Sequence, residues 1–206
     1  MTIAKQFKKL WVRGLQQGIV FANRNGRFNQ LYQVNDPWEM ASDREQLRFR
    51  DTCRIIEKEF GRIGALLEIG CGEGHQSQHL ERVCDALHGI DVSRTAVARA
   101  QRRCPTARLS VSDLSTYQPE LPKFDLVVAC EVLYYVKDVP AALRRMSELG
   151  QRCLVTYVQS GPCVLDAFFT GIPVLGTSVI QGTGSSWKVV WWENAGADRE
   201  HRERGS

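Results

Sequence analysis

The spacing of apolar and polar positions changes along the 206-residue chain, and each change predicts an element. Between residues 3 and 20, Ile3, Phe7, Leu10, Trp11, Leu15 and Ile19 recur near helical spacing with basic residues between them. That pattern predicts a cap helix folded over the domain, in preference to a helix lying on a membrane surface. NRNGRFNQ breaks the rhythm and reads as a loop. DPWEMASDREQLRFRDTCRIIEKEF then reads as one or two helices, with Pro37 tolerated near a start and Gly61 and Gly64 as stops.

From Ala65 onward, short apolar runs alternate with helical patterns. ALLEIG, ALHGIDV, ARLSVSDL, the opening of FDLVVACEVLYYV, and RCLVTYV read as five strands. GHQSQHLERVC, SRTAVARAQRRC and DVPAALRRMSEL read as the helices between them, with Ser93 as an N-cap. The apolar run in FDLVVAC marks a central strand buried on both faces. IPVLGTSVIQGTGSSWKVVWWE adds two strands around GTGSS, a hairpin closing one sheet edge. The expected fold is therefore α/β: a Rossmann-like, doubly wound, seven-stranded and mostly parallel sheet with a C-terminal β-hairpin and an N-terminal helical lid. The expected division is a cap or lid over residues 1–60, a core over 61–193, and a disordered, apolar-poor tail over 194–206.

Composition narrows the function. Hydrophobic residues make up 43% and charged residues 24%, and the net charge of +4 demands neither nucleic acid nor membrane. The 27 basic residues are spread over several elements, offset by 23 acids, and do not alternate with aromatics, which disfavours a nucleic-acid partner. Seven cysteines with no CxxC spacing fit free thiols in a reducing cytoplasm better than disulfides or a zinc site, and no metal is expected. Lys5, Lys8, Lys9 and Arg13 interrupt the N-terminus too often for a signal peptide or a membrane span. A cytoplasmic monomer or weak homodimer is expected.

The chemistry concentrates in LLEIGCGEGHQSQHL, Leu66 to Leu80. Gly70, Gly72 and Gly74 follow the first strand, where open α/β sheets bind ligands. A dinucleotide turn would carry its third glycine at the position of His75. Glu68, just before the turn, is wrong for a pyrophosphate and right for a cation, or for ordering the loop around one.

Glu68-x-Gly70-x-Gly72-x-Gly74 resembles motif I of class I S-adenosylmethionine (SAM) methyltransferases. Three more segments fall in the same register. Asp91, which the resemblance makes the acceptor for both ribose hydroxyls, ends the second strand with Val92 beside it. Asp113 and Leu114 correspond to the adenine-binding positions, and Glu131 and Val132 to those beside the cofactor's methionine part. Cys71 sits within the turn and Cys130 beside Glu131; both read as small apolar fillers at the cofactor site. More closely, LYQVNDPWEMASDREQLRFR, LEIGCGEGH and CEVLYYVKD together resemble the nodulation protein S group of small N-methyltransferases, which act on an amino sugar at the end of a chitin-like oligosaccharide. That likeness implies that Tyr32 and the DPW region with Trp38 form a lid over the cofactor. SELGQRC departs from the proline and paired glycines usual before the family's fifth strand.

Tyr134 and Tyr135 follow the fourth strand, where an acceptor approaches, and Tyr134 is the expected catalytic residue, orienting an amine or hydroxyl. No NPPY- or DPPY-like tetrapeptide occurs, which disfavours the amino-methylating DNA enzymes, and no convincing general base stands out beyond a bystander-like His75. The expectation is a SAM-dependent methyltransferase acting on a small molecule, an amine or hydroxyl of a sugar or oligosaccharide. The rivals are a non-catalytic SAM-binding subunit and, less favoured, an NAD-dependent oxidoreductase.

Overall fold

The computed structural model describes residues 25–159 and 165–194. The helix expected over residues 3–20 and the tail beyond residue 194 lie outside the described residues. Helix α1 (Asn25–Leu31) replaces the loop expected from NRNGRFNQ. Phe28 and Leu31 are buried against Ala96, and that packing overrides the weak helix propensity of Asn and Gly. Helix α2 (Asp43–Phe60) ends at Gly61, whose φ of 69° and N–H bond to the Glu57 carbonyl form a left-handed stop. Gly64 is no helix stop. It lies within β1 (Ile63–Ile69), and a Cβ there would come 2.6 Å from the Asp125 carboxylate, which accepts the Ala65 N–H.

Strands β2 (Cys84–Asp91), β3 (Arg108–Val111), β4 (Phe124–Cys130) and β5 (Gly150–Val158) run parallel to β1. Strands β6 (Val174–Gly182) and β7 (Ser185–Glu193) form an antiparallel hairpin, with Gly184 supplying the positive φ of its tight turn. The sheet order is β3-β2-β1-β4-β5-β7-β6. Successive residues of the central strands face opposite sides. Leu67, Val127 and Val155 pack towards α5 (Val139–Leu149), whereas Leu66, Leu126, Val128 and Leu154 pack towards Cys53 and Ile56 of α2. The expected helix GHQSQHLERVC shrinks to the single turn α3 (Ser77–Leu80). Pairing of Cys84 with Ile63 draws the chain into β2 two residues before the predicted strand. Helix α4 (Arg94–Arg103) is capped by Ser93, whose hydroxyl accepts the Ala96 N–H.

The chain winds outward from β1 to β3, then restarts at β4 and winds the other way. The loops after β1 and β4 therefore diverge, and a crevice opens above their carboxyl ends. Among the described residues, no helix is long and apolar enough to cross a membrane.

Candidate active site

The glycine turn forms the floor of that crevice. Gly70, Gly72 and Gly74 have φ of 72°, 53° and 80°, a region side chains strongly disfavour. At Gly72 a Cβ would come 3.0 Å from the Tyr32 hydroxyl, and at Gly74 it would come 3.0 Å from the Ala100 backbone of α4. The turn is sewn to the end of β2: the N–H groups of Gly70 and Cys71 both donate to the Ile90 carbonyl.

Asp91 completes this join. One carboxylate oxygen accepts the Gly72 N–H at 3.0 Å and the other accepts the Ser93 N–H at 2.8 Å. Each oxygen keeps a lone pair, and the residue lines the cavity. Burial pushes its pKa up to about 6, against the pull of the two backbone bonds. Glu68 is also buried and accepts the Ser77 hydroxyl at 2.5 Å, tying the turn to α3. Burial lifts its pKa to about 7, opposed by the Ser77 bond. Glu68 thus orders the loop.

A strap between α1 and α2 lies over the turn. Arg99 donates to Glu73 in the turn at 2.5 Å and to the Val34 carbonyl in the strap at 3.1 Å. His75 Nε2 lies 4.0 Å from Asp36, and burial lowers the His75 pKa. Asp36, Glu73 and His75 bring their side-chain ligand atoms within 4.8 Å of one another. Both carboxylates are engaged, Asp36 with the Met40 and Ala41 N–H groups inside the strap and Glu73 with Arg99, so it is Arg99 that joins the strap to the turn. Tyr32 and Trp38 pack here with Phe28, Val92 and Tyr135, and the Trp38 and Tyr135 rings lie 5.3 Å apart.

The cavity has a volume of about 1120 Å³ and runs along the carboxyl ends of the strands. At one end lie Asp113 and Leu114, just beyond β3; at the other lie Ser185 and Trp187, at the start of β7. Asp113 turns one oxygen onto the Ser115 N–H and hydroxyl. Val132 stands against the turn, with Cγ2 2.4 Å from where a Gly70 Cβ would be. Cys71 is packed with Val97, Ala100 and Leu109 beneath the turn, and burial raises its pKa well above the ordinary thiol value.

Residues 23–157 match the family model described as Nodulation protein S (NodS). The chain belongs to the nodulation protein S family. It is 31% identical over 128 residues to the nodulation protein S of Bradyrhizobium diazoefficiens, a match covering 55% of this chain and 56% of that protein. It is 30% identical over 132 residues to the ubiquinone biosynthesis O-methyltransferase of Rhodopseudomonas palustris, covering 60% and 50%. The chain spans about half the length of the curated relatives it matches. In fold it resembles the N-methyltransferase NodS from Bradyrhizobium japonicum WM9, solved with S-adenosyl-L-homocysteine, with a TM-score of 0.72, 21% identity, and coverage of 84% of this chain and 99% of that one.

The candidate site residues from the sequence line this one cavity, except Gly74, which packs against Ala100 of α4. Tyr134 is 8% exposed, and its hydroxyl is committed on both sides: it donates to Glu131 at 2.7 Å and accepts the Val158 N–H at 2.6 Å. One lining residue that escaped sequence reasoning is a buried arginine. Arg48, 1% exposed on α2, donates to Glu45 at 2.8 Å and to Gln76 at 3.0 Å. In DREQLRFRD nothing distinguishes this inward arginine from its solvated neighbours.

Proposed function

We propose that this chain is a SAM-dependent methyltransferase that moves a methyl group to a small-molecule acceptor, an amine or hydroxyl of a sugar or oligosaccharide. The observation that carries the reading is Asp91, fixed at the end of β2 by the Gly72 and Ser93 N–H groups beside the crevice, with lone pairs left for two ligand hydroxyls. Family membership and the fold agree with it.

The residues fit this cofactor. Gly72 leaves a cradle that any Cβ would fill, and Asp91 beside it suits a ribose. Asp113 and Leu114, which line the cavity beyond β3, would hold the adenine, and Gly70, Glu131 and Val132 would border the methionine part. Ligand pockets usually measure about 300–1,000 Å³. The cavity here exceeds that range, which leaves room for an acceptor beside the cofactor.

When bound, the cofactor supplies an electrophilic methyl group on a positively charged sulfur. The protein's share is to hold the acceptor in line and keep water out. Positioning of this kind contributes about 7–11 kcal/mol to rate enhancement. Phe28, Tyr32, Trp38 and Tyr135 form an apolar wall on the strap side. On the other side, Arg48, Gln76 and Ser185 offer hydrogen-bonding groups suited to a hydroxylated acceptor.

A transfer screen with methyl-labelled SAM against amino sugars, sugar hydroxyls, small amines and nucleic acid tests the reading. Label is expected in a sugar-type acceptor. SAM binding without transfer to any acceptor would favour the non-catalytic subunit, and label in nucleic acid would overturn the acceptor class.

A further inference from the structure

Glu131 stands out in the cavity for two reasons. Its φ of 60° places a residue with a side chain in the left-handed region, directly at the end of β4. Such backbone is sparsely populated and persists where the surroundings impose it. Its carboxylate is also poorly compensated. It accepts the Tyr134 hydroxyl at 2.7 Å and the Thr156 hydroxyl at 3.3 Å, whereas a carboxylate has room for about four donors. Among the described residues it forms no ion pair. Arg48 lowers its pKa from a distance but gives its close contacts to Glu45 and Gln76. Even at a partly exposed position, a carboxylate drawn into the cavity wall without a paired cation is costly unless a ligand supplies the charge.

We infer that Glu131 is a catalytic residue that binds the acceptor as an ammonium ion and then takes its proton, with Tyr134 and Thr156 as positioning residues. This rests on the methyl-transfer reading above and adds the base that the sequence did not reveal. The location suits the role, because the neighbouring Val132 touches the glycine turn while Glu131 lines the cavity on the Arg48 side.

The step balances. An acceptor R–NH3⁺ gives one proton to a Glu131 oxygen, which frees the nitrogen lone pair. That pair forms the bond to the methyl carbon as the carbon–sulfur bond breaks, and the breaking bond's electrons stay on sulfur. The product leaves as R–NH2⁺–CH3, and Glu131 returns its proton to solvent. Burial raises the Glu131 pKa, which makes it a stronger proton acceptor than an exposed carboxylate. The groups that set its titration are Arg48 and Glu45 on α2, Tyr134 on its own turn, and Thr156 on β5. Arg48, Tyr134 and Thr156 pull the pKa down, and Glu45 pushes it up.

The test uses the full chain with S-adenosyl-L-homocysteine present and D-glucosamine as the ammonium probe, against N-acetyl-D-glucosamine as its uncharged counterpart. The unaltered protein should prefer glucosamine by about tenfold or more in calorimetric titrations, as expected for a desolvated charge pair. Glu131→Gln should abolish that preference and lower kcat/KM by about 10²–10⁴, the usual share of general acid–base catalysis. Tyr134→Phe removes a bond that lowers the Glu131 pKa, so it should move the acid limb of the kcat/KM profile to higher pH. No glucosamine preference in the unaltered protein, or an undiminished one in Glu131→Gln, overturns the inference. Failure to bind S-adenosyl-L-homocysteine at all would instead overturn the methyl-transfer reading beneath it.

Discussion

Asp91 joins the glycine turn to the start of α4 and presents the same two oxygens to the cavity. Asp91→Ala should therefore weaken S-adenosyl-L-homocysteine binding by about 1.5–3 kcal/mol, the range for hydrogen bonds to a charged group. Unchanged affinity in calorimetry would contradict the ribose assignment. The pKa of about 6 adds a second outcome. Only the ionised carboxylate accepts from both ribose hydroxyls, so affinity should rise as pH climbs through about 6 in the free protein. A flat profile between pH 5 and 7 would count against Asp91. Its place at the end of β2, in the cavity wall, was legible because its distance from Glu68 reflects one strand–helix–strand passage. The inward Arg48 was not legible, nor was the acceptor role proposed above for Glu131, although Glu131 itself was read as a site residue. Arg48 hides among surface-like charges, and whether Glu131 has an ion partner depends on where Arg48 points.

At the scale of elements, the five parallel strands were legible from their apolar runs, and the hairpin from the turn residues around Gly184. Helix α1 and the shortness of α3 were not, because both depend on partners far along the chain: Ala96 for α1, and the Ile63 pairing for the strand that truncates α3. The strap between α1 and α2 is tied to the glycine turn by Arg99, whereas α2 packs Cys53 and Ile56 into the sheet core. Ligand binding beneath the strap should increase hydrogen-exchange protection across residues 28–42 and leave the second half of α2 unaltered. Equal protection in both segments, with and without S-adenosyl-L-homocysteine, would show the strap to be fixed core.

At the scale of the whole molecule, the site places two buried acids with raised pKa values above one sheet edge. Glu68 rises from 4.5 to about 7 and Asp91 from 3.8 to about 6. Both are raised above their unfolded values. The stability they allow is therefore fully present below about pH 4 and is lost as pH rises through about 6 to 7. Glu68→Gln keeps an acceptor for Ser77 and removes one charge. That variant should melt above the unaltered protein at pH 8 in the absence of ligand, with the difference shrinking towards pH 4. A difference that grows on acidification would reverse the sign.

The central claim is that the glycine turn, Asp91 and the strap form a SAM site within a nodulation protein S family fold. The most direct measurement is calorimetric titration of the full chain with SAM, S-adenosyl-L-homocysteine and NAD at pH 7.5. Saturable one-to-one binding of SAM and S-adenosyl-L-homocysteine, weakened in Asp91→Ala, with no heat from NAD, is the predicted result; binding of NAD without binding of SAM would contradict it.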